Sequence, residues 1–199
     1  DLIDSPWVQR LRRVHQLQSS FWVFPSAEHS RFQHSVGVMH MAGRFADRLY
    51  PSLRQAFDRC PSFPLVKELL RVTGLVHDIG HGPFSHFFDH QYLQPVCGIT
   101  HEHLGQLIVT EKLADLIRRI RRSPEGTFKS GEALEPEHVA FLMCRPEIGA
   151  ERMPGWLRTL QPVFSGIYTA DNMDYIQRDA YMTGFSLDLV DIDRLLYYT

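Results

Sequence analysis

The chain has 199 residues, 44% of them hydrophobic and 22% charged, with a formal net charge of −2. That is enough chain for one globular domain with a core of its own. No apolar run reaches the roughly 20 residues needed to cross a bilayer, no secretory leader pattern opens the sequence, and the near-neutral charge offers no footing for a nucleic-acid or membrane surface.

The elements read as helical nearly throughout. Val23-Phe24-Pro25 and its surroundings suit a short extended piece. From Ser35 to Tyr50, the residues Val38, Met41, Ala42, Phe45 and Leu49 form a stripe at three-to-four spacing. From Pro64 to Asp78, apolar residues fall on neighbouring faces, which predicts a helix buried on most sides. Gly80, Gly82 and Pro83 break it, and Pro83 is placed to open a new helix through His90. Its N–H groups would face the Gly80–Gly82 turn, a natural seat for phosphate.

Thr100 is placed to cap one long helix carrying Leu104, Leu107, Ile108, Leu113, Leu116, Ile117 and Ile120. Arg118, Arg119, Arg121 and Arg122 end it, where cations complement the helix dipole; nucleic-acid contact is the less economical reading of them. Arg122 to Pro136 reads as an exposed loop. Helices resume over Glu137–Cys144, Trp156–Ser165, Ala170–Thr183 and from Ile192 to the end. The fold expected is all-α, a helical bundle of one domain over residues 1–199. The start at Asp1 and the apolar stop at Leu195-Leu196-Tyr197-Tyr198-Thr199 predict a fragment or a chain trimmed at both ends. Cys60, Cys97 and Cys144 match no metal or redox spacing and read as reduced thiols in a cytoplasmic protein.

Of eleven histidines, eight crowd into two stretches, Gln33 to His40 and His77 to His103. His77-Asp78 ends a helix whose neighbours are nearly all apolar, and a buried aspartate is costly unless a cation pairs with it. His34 shares the core-facing stripe of Val38, Met41 and Phe45, and Asp171 opens the helix at Ala170. Two imidazoles and two carboxylates make a mixed N/O donor set that suits Mn, Fe, Co, Ni or Mg better than a thiolate-loving structural zinc site. Around them, His81, His86, Asp89 and His101 offer acid–base groups, and His86 and Asp89 share a helix face at three-residue spacing. Asp171, Tyr175 and Asp179 recur every four residues, so the face with the candidate ligand also carries a phenol and a carboxylate.

Ile3-Asp4-Ser5-Pro6, Gln9-Arg10-Leu11-Arg12, Val23-Phe24-Pro25, Arg31-Phe32-Gln33-His34-Ser35 and His77-Asp78-Ile79-Gly80-His81-Gly82-Pro83-Phe84-Ser85-His86 together carry a resemblance. Thr100-His101-Glu102 and Asp171-Asn172-Met173-Asp174-Tyr175-Ile176-Gln177-Arg178-Asp179 extend it, leaving only Arg122–Pro154 unmatched. The sequence resembles the HD-domain deoxynucleoside triphosphate triphosphohydrolases.

That resemblance implies one divalent metal held by His34, His77, Asp78 and Asp171, and a homo-oligomer. It implies phosphate contacts from the histidines and Arg31, with Asp89 and His101 assisting the chemistry. It also implies a deoxyribose lined by Gln16 and Leu17, with Tyr175 and Asp179 at the sugar and its 3′-hydroxyl. Asn172 departs from the pattern, standing where vertebrate members carry a phosphate-contacting lysine. The substrate expected is a dNTP, split into deoxynucleoside and tripolyphosphate. A nucleotidase, phosphomonoesterase or oligonucleotide phosphodiesterase on the same site is the alternative, and a non-catalytic nucleotide-binding scaffold is a third.

Overall fold

The computed structural model describes residues 1–144, 150–185 and 190–198. The order is α1 (Pro6–Gln9), α2 (Arg31–Ala56), α3 (Phe63–Val76), α4 (His86–Phe88), α5 (His101–Leu107), α6 (Ala114–Arg118), a hairpin of β1 (Arg122–Ser123) and β2 (Gly126–Thr127), then α7 (Pro136–Met143), α8 (Gly155–Leu160), α9 (Ala170–Thr183) and α10 (Ile192–Tyr197). The fold is an all-α bundle. Its centre is α2 and α3 side by side, with α9 across α2 and α7 across α3. Buried Val38, Met41, Phe45, Leu69, Leu70, Val76, Leu142 and Leu157 join them in one core.

The central helix starts four residues earlier than its apolar stripe suggests. Ser30 Oγ accepts from the Gln33 amide while the Gln33 side chain takes the Ser30 N–H at 2.8 Å, a reciprocal cap that winds Arg31 and His34 into the first turn. It also runs through Pro51 to Ala56, because buried Leu53 holds the last turn into the core. Against it, α3 approaches backbone to backbone at Gly74, where an added Cβ would stand 2.8 Å from the Val38 carbonyl oxygen. One turn from that contact on each helix sit His34 and His77.

Three local expectations are corrected. Pro83 opens no helix: Phe84 and Ser85 follow with φ of 58° and 51°, and the helix starts only at His86 before widening into π turns over Asp89–Cys97. The cause is tertiary, since Ser85 is fully buried and its Oγ accepts from Arg31 Nε at 2.8 Å. The amides of His81 and Ser85 are spent on the carbonyls of Asp78 and Gly82.

Thr100 does cap α5, but the continuous helix expected beyond it breaks into π turns over Ile108–Lys112 and the short α6. The extra residue per turn rotates the faces, leaving Leu107 exposed and Val109 fully buried. Val23-Phe24-Pro25 lies in tight turns rather than a strand, and the antiparallel bridge of this region joins His15 to Ser30.

The Arg122–Pro136 stretch carries the small hairpin, whose Glu125 meets Lys67 of α3 at 2.6 Å. Of the arginines before it, Arg118 pairs with Glu135 and Glu137. The last helical expectation ends on Thr199, which lies outside the described residues. No helix among the described residues is long and apolar enough to cross a membrane.

Candidate metal centre

Helices α2, α3 and α9 bring His34, His77, Asp78 and Asp171 to one point. His34 Nε2 lies 2.9 Å from Asp171 Oδ1 and 3.8 Å from Asp78 Oδ2. His77 Nε2 lies 3.4 Å from Asp78 Oδ1 and 3.7 Å from Asp171 Oδ1. Adjacent donors on an octahedral ion with bonds of about 2.1 Å stand roughly 3 Å apart, so this spacing fits such an ion. Cavities of about 590 Å³ beside Arg44 and 680 Å³ beside Trp156 open elsewhere, and neither is lined by any of these residues.

The ring orientations fit a metal as well. A carboxylate and a carbonyl oxygen can only accept, so His34 Nδ1–H donates to Asp174 at 2.8 Å and His77 Nδ1–H to the Gly74 carbonyl at 2.8 Å. Both Nε2 atoms are thereby turned to the centre, the arrangement by which outer partners fix metal-binding imidazoles. His77 Nε2 is buried with no hydrogen-bond partner among the described residues, an orphan that a cation would satisfy. Burial opposes charge on His34, but the carboxylates of Asp171 and Asp174 overcome it and raise its pKa to about 9. Asp78 and Asp171 likewise raise His77 against burial. The carboxyls of Asp78 and Asp171 are held below their ordinary range despite burial, Asp78 by His77 and Arg31, Asp171 by His34 and His77.

Arg31 is buried and bonds Asp78 Oδ2 through Nη1. In this arrangement its guanidinium is an arm of the cluster, tying Asp78 to the Ser85 turn. Asp174, which the sequence reading passed over, is clamped by Arg178 Nε and Nη2 at 2.8 Å each while it holds His34. The signal was present: a carboxylate three residues past Asp171, on the helix that must face His34.

A second group lies alongside. His81, His86, Asp89 and His101 place donor atoms within 4.8 Å of one another. Gly80 makes this possible, since a Cβ there would stand 1.8 Å from the His101 carbonyl oxygen, so the turn after α3 seats directly on the start of α5. Asp89 Oδ2 lies 2.8 Å from His101 Nδ1, 3.2 Å from His81 Nδ1 and 3.5 Å from His86 Nδ1. None of these contacts has hydrogen-bond geometry, and both Asp89 oxygens are buried without a hydrogen-bond partner among the described residues. The distances establish proximity; the angles leave the carboxylate's acceptor capacity unspent.

The His81 and His101 rings stack at 3.7 Å. Burial pushes His81 down to about 2, with Asp78 opposing and Arg31 assisting, and burial lowers His101 against the pull of Asp89. His86 is the exposed member of the group. Arg10, also unassigned from sequence, donates to the carbonyls of His81 and Ile79 and braces the turn between the two groups.

The residues expected at a sugar lie on α9 and on the segment bonded to the start of α2. Tyr175 and Asp179 are partly exposed on the Asp171 face of α9. Gln16 and Leu17 are half-buried on the segment paired with residues 29–31, where the Gln16 N–H donates to the His29 carbonyl at 2.9 Å.

Residues 31–147 match the family model described as HD domain. The chain belongs to the HD domain family. It is 34% identical over 98% of its length to the Uncharacterized protein YwfO of Bacillus subtilis, spanning 39% of that protein. It is 29% identical over its whole length to the deoxynucleoside triphosphate triphosphohydrolase SAMHD1 of Gallus gallus, spanning 33% of it. Among solved structures, a phosphohydrolase of Bacteroides thetaiotaomicron aligns over 98% of this chain and 41% of its own, at TM-score 0.70 and 26% identity. This HD chain thus spans well under half the length of these relatives, and its matched segment holds His34, His77, Asp78 and the whole Asp89 group.

Proposed function

We propose that this chain is a metal-dependent HD phosphohydrolase that splits a dNTP into deoxynucleoside and tripolyphosphate. The observation that carries the reading is the pairing of two clusters: two inward-turned imidazole Nε2 atoms with Asp78 and Asp171, beside an unsatisfied Asp89 carboxylate ringed by imidazoles. The named activity of the Gallus gallus relative supports the substrate class.

On this reading His34, His77, Asp78 and Asp171 would hold a divalent ion, which would supply Lewis acidity for activating water and polarising a phosphoryl oxygen. The neighbouring group meets the phosphate chain. His101, 2.8 Å from Asp89, would pass a proton to the departing sugar oxygen, with the Asp89 carboxylate opposing the burial that disfavours the charged ring. His81, kept neutral by burial, offers a hydrogen bond without a competing charge, and exposed His86 faces the outer phosphates. Arg31 keeps Asp78 ionised and adds positive potential where phosphate oxygens gather. Gln16 and Leu17 form the sugar wall that discriminates against a 2′-hydroxyl, and Tyr175 and Asp179 face the 3′ side.

One observation favours a phosphomonoesterase or phosphodiesterase on the same centre. The Asn172 side chain donates to the Ile167 carbonyl at 2.8 Å, so that position supplies no cation to a triphosphate. Product chromatography after incubating the metal-loaded protein with each dNTP and NTP separates the readings. Deoxynucleoside with tripolyphosphate, and NTPs spared, is the expected result. Diphosphates or monophosphates as products overturn it in favour of the second reading.

A further inference from the structure

His29 is buried, its side chain 1% exposed, at the foot of α2. Its Nε2 lies 2.8 Å from Asp179 Oδ1, and because a carboxylate only accepts, Nε2 carries the proton. Its Nδ1 is buried with no hydrogen-bond partner among the described residues. That orphan carries a desolvation cost that a phenylalanine in the same space would avoid, so packing alone does not explain an imidazole here. Among the described residues the one polar bond the ring makes is to Asp179.

The backbone of the same residue does a second job. Its carbonyl accepts the Gln16 N–H at 2.9 Å, and two residues on the Arg31 N–H donates to the Val14 carbonyl at 2.8 Å. His29 therefore joins the Gln16-Leu17 segment to α9 through its two ends, one main-chain bond and one side-chain bond. Asp179 is 22% exposed, and with Oδ1 held by His29 its Oδ2 is the acceptor left for a ligand hydroxyl.

We propose that His29 is a positioning residue for the sugar end of the substrate: it aims Asp179 at the 3′-hydroxyl and sets the spacing between that carboxylate and the Gln16-Leu17 wall. This rests on the nucleotide reading above. A hydrogen bond to a charged acceptor is worth roughly ten-fold or more in affinity when made, and an unaimed carboxylate loses it.

The test compares dNTPs with 2′,3′-dideoxynucleoside triphosphates on the metal-loaded protein. His29→Phe is expected to lower kcat/KM on dNTPs about ten-fold, chiefly through KM, and to leave the dideoxy substrates unchanged. In an Asp179→Ala background it is expected to cost nothing further, and His29→Gln, which keeps a donor, to recover part of the loss. Melting curves report folding, and His29→Leu takes the place of His29→Phe if that variant does not fold. An equal loss on both substrates, or no loss on either, overturns the positioning role while leaving the nucleotide reading intact. No turnover of any nucleotide by the wild type overturns that reading and this one with it.

Discussion

At the scale of single residues, Asp174 is the most informative side chain near the centre. It is not one of the proposed ligands, yet it fixes the orientation of His34 by accepting a hydrogen bond from Nδ1–H, and Arg178 fixes Asp174 in turn. Removing it leaves His34 free to rotate and to present the wrong nitrogen. Asp174→Ala is expected to weaken divalent-metal binding by about 10- to 100-fold, as loss of an outer partner usually does, while the fold persists. Titration of the stripped variant with Mn reads this directly. Affinity equal to wild type would mean that Asp174 only anchors Arg178. His77→Ala should go further and abolish stoichiometric binding, because it removes a donor whose ring is already turned inward.

At the scale of elements, the centre depends on how closely α2 and α3 approach. Gly74→Ala places a Cβ 2.8 Å from the Val38 carbonyl, a backbone atom that cannot swing aside. The helices must part by tenths of an ångström, which is expected to cost about 1–3 kcal/mol in denaturant unfolding. Because His34 and His77 ride on those helices, metal affinity should fall together with stability. Full affinity in a destabilised Gly74→Ala protein would show that the centre tolerates the shift. This dependence also explains which parts of the molecule were legible in sequence. His34 could be placed because the stripe through Val38 and Met41 fixed its face, and the span expected for α9 matches the helix found, which Thr169 caps at its start and left-handed Gly184 at its end. The π turns after Leu107 and the positive-φ turn at Ser85 were not legible. A 3.6-residue period carries no sign of an inserted residue, and the partner that holds Ser85 is Arg31, 54 residues away. Asp174 was marked by its place three residues past Asp171 and its pairing with Arg178 four residues on, whereas His29 acts through Asp179, 150 residues away, and stands in no local pattern.

At the scale of the whole molecule, the proposed ligands come from α2, the end of α3 and α9, so an ion there would staple the centre of the bundle. At a free ion concentration 100 times Kd the gain is about 2.7 kcal/mol, or roughly 5–10 °C in Tm for a chain of this size. That gain should depend on pH in a definite direction. The His34 pKa is raised to about 9 in the metal-free cluster, so its ion pairs with Asp171 and Asp174 stabilise the stripped protein fully below about pH 6.5. The contribution is lost as pH rises through about 9, and His77 shifts in the same sense. An ion needs the Nε2 lone pair that this proton occupies, so binding releases a proton and tightens as pH rises. The stripped protein therefore weakens over the same range in which the loaded protein gains. Melting curves with Mn and with a chelator, taken from pH 6 to pH 8, should diverge steadily, the gap being smallest at pH 6. His77→Ala should close the gap at every pH. A gap of constant width across that range would mean that no proton is displaced from the cluster, and that the ion sits elsewhere in the molecule.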